Sequence, residues 1–274
     1  MTDTQLAILA IIQGLTEFLP ISSSGHLVLT PRIMGWADQG LTIDVAVHVG
    51  SLLAVLVYFY RDVVTLAHGT LKIIMFKSNS DSYLVWLLIV ATLPVVGAGY
   101  ALSHYGIADL IRAPENVLLI VGSATLGFGL LLWFGDSVGI TVRRVSHLDF
   151  VDAIMLGLSQ SLALIPGASR AGTTMTMARI LAMERSEAAR FSMLMSIPAI
   201  LAAGTLKTKE LMEIGNEVVW MDAALAASFA FIAAFVSIWA MMRWLRTNTM
   251  RPFVYYRIIL GIGILTVYFG WITF

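Results

Sequence analysis

The chain has 274 residues, of which 58% are hydrophobic and 12% charged, with mean hydropathy +0.85; a water-exposed domain carries about 25% charged residues, so a soluble protein is excluded and an integral membrane protein expected. Lys plus Arg and Asp plus Glu both number 17, giving zero formal net charge, which removes the global field that nucleic acid binding needs. No cysteine is present, so disulfides, thiolate metal sites and cysteine nucleophiles are excluded.

The N-terminal Met1-Thr2-Asp3-Thr4-Gln5 has no basic start, and the apolar run behind it leads to Gln13 and Glu17. It reads as mature structure and not as a cleavable signal. That run, about 5–19, is too short for a bilayer, which needs about 20 apolar residues. It ends in Pro20-Ile21-Ser22-Ser23-Ser24-Gly25-His26 and resumes as a second short stretch over 26–34. Short helix, polar turn, short helix predicts a re-entrant hairpin, a backbone tolerated at membrane depth only where protein buries it or it lines a cavity. Three full spans follow, near 43–60, 84–102 and 116–134. A second interrupted unit covers 151–165 and 173–183, broken at Pro166-Gly167-Ala168-Ser169-Arg170-Ala171-Gly172-Thr173-Thr174. Three more spans follow, near 188–206, 222–243 and 254–273.

Gly14-Leu15-Thr16-Glu17 aligns with Gly157-Leu158-Ser159-Gln160, and a proline and a serine-bearing turn follow both. The expected fold is therefore all-α: one polytopic membrane helical bundle over 1–274. It comprises a repeat over 1–134 (hairpin 5–34 plus three spans) and a repeat over 151–274 (hairpin 151–183 plus three spans). Three crossings between the hairpins put them on opposite sides, which makes the repeat inverted, with a site at its interface. Charge supports the first hairpin entering from outside. Segments 61–83, 135–150, 184–190 and 243–251 are then internal and hold Arg61, Lys72, Lys77, Arg143, Arg144, Arg185, Arg190, Arg243, Arg246 and Arg251. The outer connections hold Arg112, Lys207 and Lys209 beside Asp109, Glu115, Glu210, Glu213 and Glu217, as the positive-inside rule expects.

Gln13 and Glu17 share a helix face at i, i+4. A carboxylate at mid-membrane costs about 2.5–3.5 kcal/mol on insertion scales, so Glu17 calls for a cation, a metal or a proton. Ser22, Ser23 and Ser24 precede a helix start, where free N–H groups cap and bind anions; capping alone is the plainer alternative. His26 is a candidate ligand, acid/base or nucleophile. In the second turn Arg170 offers a planar fork matched to phosphate oxygens, with Ser169, Thr173 and Thr174 as hydroxyl donors. Asp44 and His48, also i, i+4, read as structural. Asp152 lies near the second hairpin, and Gln160, the repeat mate of Glu17, is a candidate cavity residue. Tyr255, Tyr256 and Arg257 read as an interfacial belt.

These motifs resemble those of the undecaprenyl-diphosphatase family of bacterial membrane phosphatases linked to bacitracin resistance. One signature stands as Gln13, Glu17 and Ser22-Ser23-Ser24-Gly25-His26, the other as Pro166 to Thr174. Gln13 stands at the first acidic position, which the family allows but which removes one possible metal carboxylate, and Ala171 replaces the usual serine. The resemblance implies hydrolysis of undecaprenyl diphosphate to the monophosphate and inorganic phosphate, which recycles the lipid carrier of peptidoglycan and other envelope glycans. It also implies a divalent cation, Mg2+ or Ca2+, and a plasma-membrane location with the site on the periplasmic or outer side. The expected partners are the polyprenyl diphosphate and the membrane, without nucleic acid; a homodimer is one option. Glu17, His26, Ser23 and Arg170 are the expected catalytic residues; Ser22, Ser169, Arg170 and Thr174 grip phosphate; Glu17, with Gln13 assisting, positions the metal. The nucleophile stays open between His26, Ser23 and a metal-activated water. A lipid-carrier transporter or flippase on the same inverted repeat is the alternative. The other lipid-phosphatase superfamily is set aside, because Thr176 stands where its second histidine belongs.

Overall fold

Proline and the hydroxyl-capped turns set where the short helices stop and restart. Pro20 biases Leu19 away from helical backbone, so the first helix, α1 (Asp3–Glu17), gives way to a turn closed by the Ile21 N–H donating to the Leu19 carbonyl at 2.7 Å. The computed structural model describes residues 2–36, 40–113, 116–212 and 217–271. Past the turn runs α2 (Ser23–Met34), then α3 (Gly40–Tyr58), α4 (Tyr60–Ile74), α5 (Ser80–His104), α6 (Ile107–Arg112) and α7 (Val117–Val138). The second half holds α8 (Phe150–Ser161), α9 (Arg170–Ile180), α10 (Arg185–Met212), α11 (Glu217–Trp244) and α12 (Arg251–Tyr268). The only strand-like pairing among the described residues is an isolated bridge between Arg143 and Met183. The chain is all-α, as expected.

Helices stand at each of the six segments expected to span. Among the described residues, α5, α7 and Trp220–Trp244 of α11 are long and apolar enough to cross a bilayer. The run expected as a plain inner connection, 61–83, instead contains α4, bent 89° from α3. Glu115 and Glu213, used in the charge comparison, fall outside the described residues.

The first helix of each hairpin packs on the other half of the chain. A Cβ on Gly14 of α1 would sit 2.4 Å from the Ala230 carbonyl of α11, and one on Gly157 of α8 2.5 Å from the Ala91 carbonyl of α5. Glycine is needed at both because backbone touches backbone, the small-residue mode by which membrane helices approach each other. Phe18, Leu52, Leu87, Leu132, Leu156, Met175, Phe191 and Ile238 join one buried cluster drawn from both halves, which fixes the hairpins relative to each other. At one end of α7, Asp136 accepts from Arg179 (3.1 Å), Arg185 (2.6 Å) and the Met250 N–H (3.1 Å). Arg143 pairs with Asp152, so Asp152 belongs to this structural layer.

Candidate active site

The two polar turns share one local geometry. Ser22 has φ 75° and its hydroxyl accepts from the Gly25 N–H; Ser169 has φ 68° and accepts from the Gly172 N–H. A left-handed backbone is costly for a non-glycine residue, and at both positions the hydroxyl cap at i+3 holds it. Ser22 and Ser169 are thus spatial counterparts, each starting a short helix, α2 and α9. The turns meet: the Gly167 N–H donates to the Ser24 hydroxyl at 3.4 Å.

Glu17 is the hub. Its Oε1 accepts from Arg170 Nη2 at 3.2 Å; its Oε2 accepts from the Ser23 hydroxyl at 2.6 Å and from Gln13 Nε2 at 2.9 Å. Arg170 also donates to the Ser192 carbonyl at 3.3 Å and lies 5.6 Å from the Phe18 ring, so two bonds and a ring face aim the guanidinium. The Glu17 and Arg170 side chains are only 8% and 14% exposed, and in such surroundings charge-assisted bonds are stronger than in water.

His26, in the first turn of α2, has both ring nitrogens engaged. Its Nδ1 lies 2.6 Å from the Ser22 carbonyl. A carbonyl only accepts, so Nδ1 carries a proton. Nε2 lies 2.5 Å from the Tyr256 hydroxyl, and the two rings stack at 5.6 Å. A neutral His26 therefore accepts at Nε2 from Tyr256.

Gln13, Glu17, Ser23, Arg170 and the Ser22 and Ser169 caps are brought together. The Thr174 hydroxyl sits 2.6 Å from the Ser192 hydroxyl and donates to the Arg170 carbonyl at 2.8 Å, bracing the Arg170 backbone. The Thr173 hydroxyl likewise donates to the Arg170 carbonyl at 3.1 Å. Gln160 is buried, and neither polar atom of its amide has a hydrogen-bond partner among the described residues.

The interfacial-belt reading fails for Arg257. Arg257 is fully buried. Its fork donates to Pro20 (3.2 Å), Gly167 (3.0 Å) and Ala168 (3.0 Å), and its Nε to Thr125 (3.1 Å), every acceptor a carbonyl. It staples both hairpin turns to α7. A Cβ on Gly172 would lie 2.8 Å from its Nη1, so the glycine there makes room for the staple. Tyr255 and Tyr256 are both exposed, and the Tyr256 hydroxyl also meets His26 Nε2. His48 also has more than a structural place. Its Nδ1 lies 2.6 Å from the Asp44 carbonyl and so carries a proton, and its Nε2 faces Glu17 Oε2 at 3.9 Å. The i, i+4 spacing of Asp44 and His48 was visible in the sequence; that His48 reaches Glu17 was not.

The donors present fit a hard cation. Among the described residues Gln13 Oε1 is buried without a hydrogen-bond partner, while its Nε2 and the Ser23 hydroxyl both donate to Glu17 Oε2. His48 Nε2 turns an unprotonated edge toward Glu17 when the ring is neutral. One carboxylate with neutral donors suits a cation that takes its remaining ligands from phosphate, as Mg2+ commonly does.

Comparison with known proteins finds relatives over nearly the whole chain. Several relatives bear the name undecaprenyl-diphosphatase. That of Rhodospirillum rubrum is 46% identical over 95% of this chain and 93% of its own. That of Roseobacter denitrificans is 46% identical over 98% of this chain and 99% of its own, and that of Alteromonas mediterranea 44% over 95% and 97%. Residues 6–263, which take in both polar turns, their helices and the Arg257 staple, match the family described as Bacitracin resistance protein BacA, and the chain belongs to that family.

Proposed function

We propose that the chain hydrolyses undecaprenyl diphosphate to undecaprenyl phosphate and inorganic phosphate in the bacterial plasma membrane, with bacitracin resistance as a consequence. The observation that carries this reading is the Glu17–Ser23–Arg170 cluster: a base, a hydroxyl and a fixed cation joined across two hairpin turns. A polyprenyl tail gains about 0.8 kcal/mol per buried CH₂, so the substrate stays in the bilayer and the enzyme must present a polar site there.

Arg170 and the starts of α2 and α9 balance the diphosphate charge and the charge that develops on transfer. The hydrogen bond from Ser23 to Glu17 favours Ser23 as nucleophile over His26, whose Nε2 is already engaged by Tyr256. Ser23 Oγ attacks the terminal phosphorus as Glu17 takes its proton; the bond to the bridging oxygen breaks and prenyl phosphate leaves. Water then cleaves the phosphoserine to inorganic phosphate and restores Ser23. A divalent cation held by Glu17 and Gln13, with His48 adjacent, would polarise the phosphoryl oxygens.

The matching serine caps and the crossed packing of Gly14 and Gly157 support the inverted repeat over 1–134 and 151–274. Charge asymmetry supports the site opening on the outer face. Phosphate release by purified protein from long-chain prenyl diphosphate, with and without chelator, tests the reading. Release that stops with chelator is expected; none with any chain length or metal would favour lipid carriage instead.

A further inference from the structure

Helix α4 has two faces with different fates. Asp62, Leu66, Gly69 and Ile73 line one side; a Cβ on Gly69 would lie 2.4 Å from the Asp81 carbonyl of α5, and Asp62 pairs with Arg190 of α10. That face is locked against the bundle. On the opposite side Tyr60, Val64, Leu71, Ile74 and Met75 are all exposed, and Phe76, just past the helix, is 100% exposed. At 3.6 residues per turn the first five share one stripe. Because the other face is pinned, the helix cannot roll to bury this stripe within the chain. Its 89° angle to α3 lays it across the direction of that neighbouring apolar helix. Arg61, His68 and Lys72 fall along one edge of the stripe, and Lys77 follows it; the Arg61 Nε donates to the Tyr60 hydroxyl at 2.9 Å.

We propose that α4 and the turn through Lys77 form an interfacial foot, its apolar stripe sunk below the headgroups and its basic edge binding anionic phospholipid. An apolar stripe with a basic border is the pattern of a helix lying in the membrane plane, and the charge complement of that edge is an acidic headgroup. Charge asymmetry puts this foot at the inner leaflet, where anionic headgroups supply that complement.

Two measurements on the full chain in nanodiscs of phosphatidylcholine and phosphatidylglycerol test it. In the first, Phe76→Trp is probed with lipids brominated near the headgroup; strong quenching is expected, and a solvent-like unquenched emission overturns the proposal. In the second, phosphatidylglycerol retained after detergent extraction is compared between wild type and the triple variant Arg61→Gln, Lys72→Gln, Lys77→Gln. At about fivefold per charge, retention should fall at least about tenfold while phosphate release is kept. Equal retention overturns the proposal. So does efficient cross-linking of Leu71→Cys between two copies, which would make a second chain the occupant.

Discussion

Glu17 and Arg170 are separated by 153 positions and meet at 3.2 Å, each supplied by a different hairpin. Removing either leaves a buried charge without its partner, which costs about 3–5 kcal/mol where a pair is fully enclosed. Glu17→Gln and Arg170→Gln should each lower the unfolding midpoint in detergent, and the double variant should lose clearly less than the two losses added. Additive losses would mean the pair is not coupled.

Tyr256→Phe removes the donor to His26 Nε2 and leaves the ring stack in place. The ¹⁵N shifts of His26 in wild type should report a proton on Nδ1 and a bonded Nε2. In the variant the Nε2 resonance should move, and turnover should drop about tenfold or less, as befits a residue acting through another. An unchanged His26 spectrum would contradict the assignment.

Arg257→Met leaves the Pro20, Gly167, Ala168 and Thr125 carbonyls without their common donor. Hydrogen bonds to a charged group are worth about 1.5–3 kcal/mol each, so the loss should abolish stable purification or lower the midpoint strongly. Gly172→Ala, which pushes a methyl into the guanidinium, should do the same more mildly, about 1–3 kcal/mol for overpacking. A Gly172→Ala protein as stable as wild type would show that the staple is not tightly held.

The absence of cysteine allows topology to be read from single substitutions. Ser103→Cys should react with a membrane-impermeant maleimide in intact cells, and Ser80→Cys only after permeabilisation. The reverse pattern would turn the molecule over and place the site inward.

Hydropathy and charge made the helical class legible, and the paired Gly-Leu segments and serine turns made the two hairpins legible. The short-range features were readable because they are local: proline ends a helix and a serine caps the next. Glu17 and Arg170 stood out because a charge in an apolar run demands a partner. Arg257 did not, because an arginine beside two tyrosines near the start of an apolar segment has the same sequence signature at a membrane surface as in a core. Only packing against Gly129, where a Cβ would lie 2.9 Å from the Arg257 Cβ, and against Gly172 separates the two. The exposed stripe of α4 was not legible for a related reason: its charges read as a connection, and the stripe shows only once the helical face packed on α5 is known.

The central claim is that groups from both hairpin turns act on one diphosphate. Phosphate release from undecaprenyl diphosphate should be measured for purified wild type, Glu17→Ala and Arg170→Ala, with helicity and monodispersity matched. Both variants should fall at least about 100-fold, the scale for losing a group that stabilises transition-state charge. Turnover near the wild-type rate in either one would contradict a site shared between the hairpins.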